Sequence, residues 1–309
     1  MSAIPTPGQA DQRGGCAATM YRNYFAVAGI NVEVSGESPQ AVNLGPEIAP
    51  FICERGDCDI EVRIEWSPRL ESSRAREIFH SGAVWSAHEC GGKFLFDFTI
   101  DRLGSRPYKR LVTDAAFKKA EVFLNHEFLS LHGIPSALEY PLDELLITHY
   151  LSLGHGIELH ACGLVNAGTE SFLFAGHSGA GKSTTARLWT RHAGVEVLSD
   201  DRIIVRKKND QFLMHGTPWH GEAAYASPGR APIRRIFLLE HGASNRIECI
   251  SRSAAVGELL ARSFVPFYQH RLVNPTLALL EEIVESVPCY RFSFVPDQSA
   301  VEKILEFRD

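Results

Sequence analysis

The sequence predicts an α/β fold, α+β overall, in which a β-rich N-terminal domain precedes a domain of alternating strands and helices. Two patterns support this prediction. Short runs of alternating or apolar, β-branched residues dominate the chain up to about residue 131. Helical spacing appears after residue 136, and strand and helix patterns then alternate. A chain of 309 residues can bury one large core or two ordinary ones.

These patterns divide the chain into three segments. Residues 1–19 are polar and rich in Gly and Pro, so we expect a disordered tail and no signal peptide. Residues 20–135 form the β-rich domain. We interpret it as an accessory scaffold or as a domain that recognises an acceptor, that is, a molecule on which the second domain would act. Residues 136–309 form the second domain.

The predicted strands of the first domain are runs bounded by turn-forming residues. They cover 24–34, with a Gly at a turn or bulge, and 59–66, 83–88, 93–100, 111–113 and 120–124. In the second domain, strands are predicted over 156–165, 172–175, 195–201, 202–206, 212–214 and 235–240. Helices are predicted over 141–153, 184–191, 254–262, 278–286 and 296–307.

Composition excludes several classes of protein. The chain is 45% hydrophobic and 22% charged with a net charge of −6, so no basic footprint for nucleic acid is expected. Its apolar runs are too short to span a membrane. The seven cysteines are scattered and odd in number, which favours free thiols in a reducing cytoplasm. A disulfide or metal at Cys53 and Cys58 is the alternative.

The most specific signal is the stretch FLFAGHSGAGKSTTAR at 172–187. Gly176, Gly181, Lys182 and Ser183 fit the pattern G-x-x-x-x-G-K-[ST], between an apolar run and a helix-forming run. Glycines let backbone N–H groups point at phosphate oxygens, while the helix N-terminus and Lys182 add positive charge. The stretch therefore predicts a phosphate-binding loop of the Walker A type, against the alternative of an ordinary glycine-rich turn.

The predicted nucleotide contacts come from this loop and from the first residues of the helix. They are Gly176, Ser178, Gly179, Ala180, Gly181, Lys182, Ser183 and Thr184. Ser183 can bind the Mg²⁺ that accompanies a nucleotide. His177 occupies a free position of the motif and is expected to face solvent.

Two adjacent acids, Asp200 and Asp201, end the predicted strand at 195–201. Beside a phosphate loop, one carboxylate can coordinate Mg²⁺ and another can take the proton of an attacking hydroxyl. Mg²⁺ and Lys182 would balance their charges. The alternative is a strand that ends in a polar turn.

Three segments together resemble the catalytic core of the HPr kinase/phosphorylase family. They are 159–161, 176–184 and 198–202, and the resemblance extends over about 157–205. A more distant resemblance is to the nucleotide loop of phosphoenolpyruvate carboxykinases. The family resemblance implies a P-loop kinase domain that phosphorylates a seryl hydroxyl of a protein acceptor with ATP and Mg²⁺.

The resemblance also implies roles for individual residues. Lys182 would hold the phosphates and Ser183 the metal. Asp200 would be the catalytic acid/base, with Asp201 supporting it or binding the metal. His160 would lie beside Asp200 and hold or polarise it; without the resemblance, it would be read as a core histidine.

The chain departs from the family in two places. Thr184 stands where the family usually has Glu, and the family's downstream arginine-glycine segment has no clear match. Instead, residues 216–231 are rich in turn formers, which suits a mobile loop that closes over phosphates. Arg230 would then offset transition-state charge, or else be a surface arginine of a structural loop. For His220 and Glu222 a structural role is preferred.

The resulting prediction is a phosphotransferase of the serine-kinase type. It would use ATP and Mg²⁺ to phosphorylate a hydroxyl on a small protein, a peptide or a small molecule. A nucleotide-binding switch or slow ATPase without an acceptor is the first alternative, and a carboxykinase-like enzyme the second. The family is commonly oligomeric, so the resemblance also implies a homo-oligomer.

Overall fold

Two large β-sheets follow one another along the chain. A computed structural model describes residues 19–82, 84–132, 136–166 and 170–308. The architecture is mixed α/β, with two large sheets and few helices in this part of the chain. The predicted tail lies almost entirely outside the described residues, and so do Cys16 and the predicted boundary at 135. The division into domains stays a prediction.

The first sheet contains β1 to β8 in the spatial order β1-β2-β3-β8-β7-β6-β5-β4. Its strands are β1 (Tyr21–Val27), β2 (Ile30–Gly36), β3 (Ile60–Ser67), β4 (Arg76–His80), β5 (Trp85–Cys90), β6 (Lys93–Phe98), β7 (Lys109–Thr113) and β8 (Lys119–Asn125). Strand β3 runs parallel to both of its neighbours, β2 and β8, and the other pairs are antiparallel.

The second sheet has the order β14-β13-β12-β9-β10-β15-β17-β16, and β11 pairs with β9. Its strands are β9 (Ile157–Asn166), β10 (Glu170–Ala175), β11 (Val195–Ser199), β12 (Arg202–Lys208), β13 (Gln211–His215), β14 (Arg230–Pro232), β15 (Arg235–His241), β16 (Arg246–Cys249) and β17 (Cys289–Phe294). The pairs β10–β15 and β15–β17 are parallel.

The helices lie mainly around the second sheet. They are α1 (His126–His132), α2 (Leu142–Tyr150), α3 (Lys182–Trp189), α4 (Arg252–Leu260), α5 (His270–Ser286) and α6 (Gln298–Glu306). A π-helical turn, Leu151–His155, continues α2. No helix among the described residues has the length and apolar character that a membrane crossing requires.

The alternating pattern of β3 shows why the sequence forms this sheet. Ile60, Val62 and Ile64 are buried, whereas Glu61 and Arg63 between them are exposed. Successive side chains of a strand point to opposite faces, so alternation buries one face of β3 against the core. The strand predicted at 59–66 is therefore confirmed within one residue at each end.

The two sheets share apolar contacts. The buried cluster at the core of the first sheet also includes three residues from the second half of the chain. They are Ile204 of β12, Trp219 of the loop between β13 and β14, and Leu272 of α5. Arg206 of β12 also donates to the backbone oxygen of Ala28 at 2.8 Å. These contacts join the second half of the chain to the first.

Two predicted elements are refined by the structure. The run at 24–34, predicted as strand with a Gly at a turn or bulge, is a hairpin of β1 and β2 whose turn lies at Ala28 and Gly29, with φ of 54° and 72°. Helix α5 begins eight residues before the predicted start at 278 (278 minus 270) and continues through Pro275. Proline inside a helix removes a backbone hydrogen bond, and here the buried Leu272 and Thr276 lie on either side of Pro275.

Four short strands were missing from the prediction. They are β4, β14, β16 and β17. Strands β4 and β16 are mostly exposed and β14 has only three residues, so these three carry little apolar periodicity. The cysteines at 53, 58, 90, 162, 249 and 289 are free, as expected.

Candidate functional site

The order of strands in the second sheet brings three predicted segments together. Strand β9 lies between β10 and β12, and β11 pairs with its far end. The backbone N–H of Gly176, just after β10, donates to the backbone oxygen of His160 at 3.1 Å. The backbone N–H of Ala161 donates to the backbone oxygen of Asp201 at 3.0 Å. The glycine-rich segment, His160 and the acid pair therefore meet at one edge of the sheet.

The glycine-rich segment connects β10 to α3, as the sequence predicted. Gly179 and Gly181 have φ of 79° and 100°, a region that favours glycine. A Cβ on Gly181 would lie 2.5 Å from the ring of Phe294. His177, Ser178 and Gly179 are exposed, which confirms the expectation for His177 and leaves this part of the loop open to solvent.

Lys182 is the first residue of α3 and is buried, with 5% of its surface exposed. Its Nζ donates to the backbone oxygens of Gly176 at 3.0 Å and His177 at 3.1 Å. It also lies 3.8 Å from Asp201 Oδ1. Burial lowers the pKa of Lys182, and the Asp201 carboxylate opposes that shift. The ammonium is thus positioned at the loop by the loop's own carbonyls.

Ser183 pairs with Asp200. Its hydroxyl donates to Asp200 Oδ2 at 2.7 Å. Asp200 is fully buried, and its carboxylate accepts three further bonds from backbone N–H groups. These donors are Gly221 at 3.1 Å, Ala223 at 3.0 Å and Tyr225 at 3.2 Å. A carboxylate has about four lone-pair sites, so Asp200 has little capacity for another donor.

Asp201 pairs with His160. His160 Nε2 lies 2.8 Å from Asp201 Oδ1, and the Arg202 guanidinium holds the other oxygen. Burial raises the pKa of Asp201, but the hydrogen bond from His160 and the charges of Arg202 and Lys182 outweigh it and lower that pKa. Asp201 is therefore held as a carboxylate.

The pairing within the acid pair is the reverse of the sequence expectation. His160 was placed beside Asp200, and the structure places it against Asp201; the expected metal partner of Ser183 was Asp201, and Ser183 contacts Asp200. The register between β11 and β9 shifts between Val197 and Ser199. A bulge redirects the side chains that follow it, and no sequence pattern located this one.

Arg202 ties the acid pair to α2. Its Nε donates to Glu144 Oε1 at 2.8 Å and lies 3.5 Å from Glu158 Oε1, while its guanidinium sits 4.0 Å from the Phe264 ring centroid. Burial, then the neighbouring Glu144, raise the pKa of the fully buried Glu158 well above its usual value. Arg202 therefore has little freedom to move away from Asp201.

A cavity of about 540 Å³ opens in front of Asp201. Its wall includes residues from both halves of the chain. They are Gly45, Glu47, Ile48, Ser136, Leu138, Glu139, Tyr140, Asp143, Asp201, Arg202, Pro218, Trp219 and His220. Asp200 does not line it, so Asp201 is the member of the acid pair that a molecule in the cavity would meet.

Ser183 and Asp200 are a suitable donor set for Mg²⁺. Mg²⁺ prefers oxygen ligands and is usually held by one or two protein groups together with phosphates and water. Among the described residues, no group of three or more His, Cys, Asp or Glu side chains is arranged to hold a metal. Ser183 Oγ and Asp200 Oδ2 lie 2.7 Å apart at the start of α3, and this pair of oxygens fits a Mg²⁺ that arrives with a nucleotide.

The other predicted residues are distributed unevenly. Ala180 and Thr184 lie in the loop and first turn of α3, half-buried. Arg230 is exposed on β14, opposite His215, and within the described residues no hydrogen bond or ion pair joins it to the acid pair or to Lys182. His220 lines the cavity and Glu222 is exposed. The structure thus separates Arg230 from the groups around Lys182.

Several site residues carried no signal in the sequence. Arg202 belonged to the segment 198–202 that carries the resemblance and to a predicted strand, but no role was assigned to it. Glu144 and Asp143 appeared as ordinary first-turn acids of a helix, and Glu47 and Trp219 as loop residues. Their proximity to Asp201 depends on the packing of the two halves of the chain.

Comparisons with known proteins leave the family open. No protein-family model matches the chain, and no curated protein matches it in sequence. One solved structure that it is similar to is the Hpr(Ser) kinase/phosphatase from Coxiella burnetii. The identity is 16%, the TM-score is 0.27, and the match covers 48% of this chain and 93% of the other. The resemblance to the HPr kinase/phosphorylase family therefore stays a prediction, and the site itself must indicate the function.

Proposed function

We propose that this chain is a kinase that uses ATP and Mg²⁺ to phosphorylate a hydroxyl group on a small protein, a peptide or a small molecule. One observation supports this above all others. The site holds two acids in different environments, one closed by Ser183 and backbone donors and one facing a cavity. A phosphoryl transferase needs one acid for the metal and a second for the acceptor.

The glycine-rich loop and Lys182 bind the phosphates in this proposal. Backbone N–H groups of residues 176–181 and the N-terminus of α3 offer donors to the β- and γ-phosphates. Lys182 exchanges its contacts with the loop carbonyls for phosphate oxygens. Ser183 and Asp200 would hold Mg²⁺ in place of the hydrogen bond that joins them, and the metal would neutralise charge on the phosphates.

Asp201 acts on the acceptor. Its carboxylate takes the proton of the incoming hydroxyl, whose oxygen forms a bond to the γ-phosphorus. The bond from that phosphorus to the bridging oxygen breaks, and ADP leaves with the electron pair. His160 and Arg202 orient the carboxylate, so they are positioning residues here. This reverses the roles that the sequence suggested for the two acids.

The loop at 216–229 contributes its backbone. Its N–H groups at Gly221, Ala223 and Tyr225 all bind Asp200. Metal binding at Asp200 would compete with these bonds, and so would couple nucleotide occupancy to the loop. A nucleotide-dependent switch uses the same coupling, and it is the second candidate function.

A single-turnover experiment with γ-³²P-labelled ATP tests the proposal. The wild type is compared with Asp201→Asn and Asp200→Asn, with Mg²⁺, in the absence and presence of peptide and small-molecule acceptor pools. We expect Asp201→Asn to bind ATP but to transfer label about 10²–10⁴ times more slowly. Asp200→Asn should raise the Mg²⁺ concentration needed for ATP binding.

The products separate the two candidate functions. Label on an acceptor, lost in Asp201→Asn, supports the kinase. Release of inorganic phosphate alone, with no acceptor labelled from any pool, would reject the kinase in favour of the switch. Equal transfer by the wild type and Asp201→Asn would reject the role of Asp201.

A further inference from the structure

The cavity in front of Asp201 has the size of a small-molecule site. Its volume of about 540 Å³ lies within the range of roughly 300–1,000 Å³ typical of such sites. Four parts of the chain enclose it: the connection between β2 and β3, the segment leading into α2, the turn between β11 and β12, and the loop between β13 and β14. A single residue, free or carried by an extended segment of a peptide, fits this space.

The wall of the cavity is acidic. Four carboxylates line it, and Arg202 is the cation among the lining residues. Arg202 is already engaged by Asp201 and by Glu144. An occupant therefore meets more negative than positive charge.

The four carboxylates are not equally available. Glu139 is neutralised by the buried Lys109, whose Nζ lies 2.8 Å from its Oε1. Asp143 accepts bonds from Trp219 Nε1 and from the Glu144 N–H, both at 2.8 Å. Burial raises the pKa of Asp143 to about 7, so its charge is partial at neutral pH.

Glu47 differs from the others. It is exposed on the wall, and no hydrogen bond or ion pair to its side chain occurs within the described part of the chain. Its charge is thus free to pair with an occupant. Tyr140, which is 59% exposed, adds an aromatic surface to the same cavity. A carboxylate and an aromatic surface together favour a cation.

We infer that the phosphoryl acceptor carries an ammonium or guanidinium group close to its hydroxyl, and that Glu47 binds this cation. The inference rests on the proposed kinase function, because it places the hydroxyl at Asp201. In the transfer, the acceptor oxygen bonds to the γ-phosphorus, the bond to the bridging oxygen breaks, ADP leaves with the electron pair, and Asp201 takes the hydroxyl proton. The cation itself stays unchanged.

The same cation chemistry has two sources, a free amine next to the hydroxyl and a basic side chain in a peptide. The probes distinguish them. L-serine amide is a cationic, residue-sized acceptor, and N-acetyl-L-serine amide is its neutral counterpart. A blocked peptide with Lys beside an internal Ser is compared with the same peptide carrying Gln in place of Lys. Transfer of ³²P from ATP and calorimetric binding without nucleotide are measured for each probe.

We expect the cationic member of at least one probe pair to bind and to be phosphorylated at least about fivefold better than its neutral counterpart. Glu47→Gln should remove most of this preference. The matched control is Glu302→Gln, which removes one negative charge from an exposed position on α6. That variant should retain the preference.

The binding measurement separates failure of this inference from failure of the proposed function. If cationic probes bind in a Glu47-dependent manner but no label is transferred, the cation site stands and the kinase fails. If label is transferred equally to cationic and neutral probes, or Glu47→Gln behaves as the control does, the cation site is rejected while the kinase stands. Binding of none of the cationic probes also overturns the inference.

Discussion

At the scale of single residues, the arrangement around Asp201 determines how the site would depend on pH. His160 donates to one oxygen of this carboxylate and Arg202 to the other. Both lower the pKa of Asp201 against the opposing effect of burial. A base of depressed pKa stays deprotonated, and so competent, down to a lower pH than a free aspartate would.

Replacing His160 should therefore move the acid limb of the pH–rate profile. In His160→Ala the hydrogen bond is lost, the pKa of Asp201 rises, and we expect the limb to shift to higher pH by roughly one unit. The plateau rate should also fall, because the carboxylate is held less firmly. The measurement is kcat for phosphoryl transfer against pH, with His270→Ala as an exposed histidine control. A lower plateau with an unmoved limb would assign His160 a structural role only.

Sequence reasoning found most of these residues but not their pairing. Lys182 and Ser183 occupy fixed positions in a motif, whereas Asp200 and Asp201 were singled out by their place at the end of an apolar strand after that motif. The acids follow a register shift between Val197 and Ser199 of β11, and one residue of register exchanges the two faces of a strand, so the sequence did not indicate which acid contacts Ser183. Arg230 was predicted either to offset transition-state charge or to be a surface arginine of a structural loop, and β14 carries it to an exposed position.

At the scale of elements, the N-terminal turn of α2 connects the cavity to the loop at 216–229. Asp143 lies in this turn and accepts the Trp219 indole N–H at 2.8 Å. Because the carboxyl is fully enclosed, its pKa rises from 3.8 to about 7. The folded protein then holds a proton that the unfolded chain releases at lower pH, so this residue stabilises the fold below its unfolded pKa and loses that contribution as the pH rises through 7.

Asp143→Asn should remove this part of the pH dependence. The wild type should lose stability relative to the variant between about pH 4 and pH 8, by on the order of 2–4 kcal/mol. Urea unfolding of both proteins at several pH values measures the difference. Asp210→Asn, at an exposed turn, is the control and should track the wild type. If the difference in unfolding free energy between the wild type and Asp143→Asn stays constant, Asp143 is charged in the folded protein at every pH measured.

Elements with strong periodicity were predicted well, and those defined by tertiary contacts were not. Strand β3 alternates and α6 has a clear apolar face, so both were found. Strand β17 consists of CYRFSF and pairs in parallel with β15. It was not predicted, because its short alternating pattern lies between two segments with helical patterns. The turn at Ala28–Gly29 divided one apolar run into two strands, which composition alone did not decide.

At the scale of the whole molecule, the cavity depends on the two sheets being held together. Glu47 reaches it from the first sheet's β2–β3 connection, and Asp201 from the second sheet. The residues that join the sheets are apolar and buried, among them Ile204 and Leu272. A site assembled in this way requires both sheets to be folded at once, so the acceptor and nucleotide parts of the site should be lost together.

Truncating Leu272 tests this coupling. Its side chain is fully buried on α5, within the cluster of the first sheet, whereas Leu280 of the same helix packs in a cluster of the second. Either change to Ala should cost about 2–5 kcal/mol by leaving a cavity. If the sheets unfold as one unit, each variant lowers the stability of both sheets equally.

Hydrogen exchange resolved by mass spectrometry, at increasing urea, gives the readout. Peptides from β3 and from β10 report on the two sheets separately. We expect their protection to be lost at one urea concentration in the wild type, and at one lower concentration in Leu272→Ala and in Leu280→Ala. Separate transitions, with Leu272→Ala affecting β3 alone and Leu280→Ala affecting β10 alone, would contradict the coupling. The acceptor cavity would then form only while two independently stable units stay docked, and its affinity for a cationic acceptor would fall at urea concentrations that leave ATP binding intact.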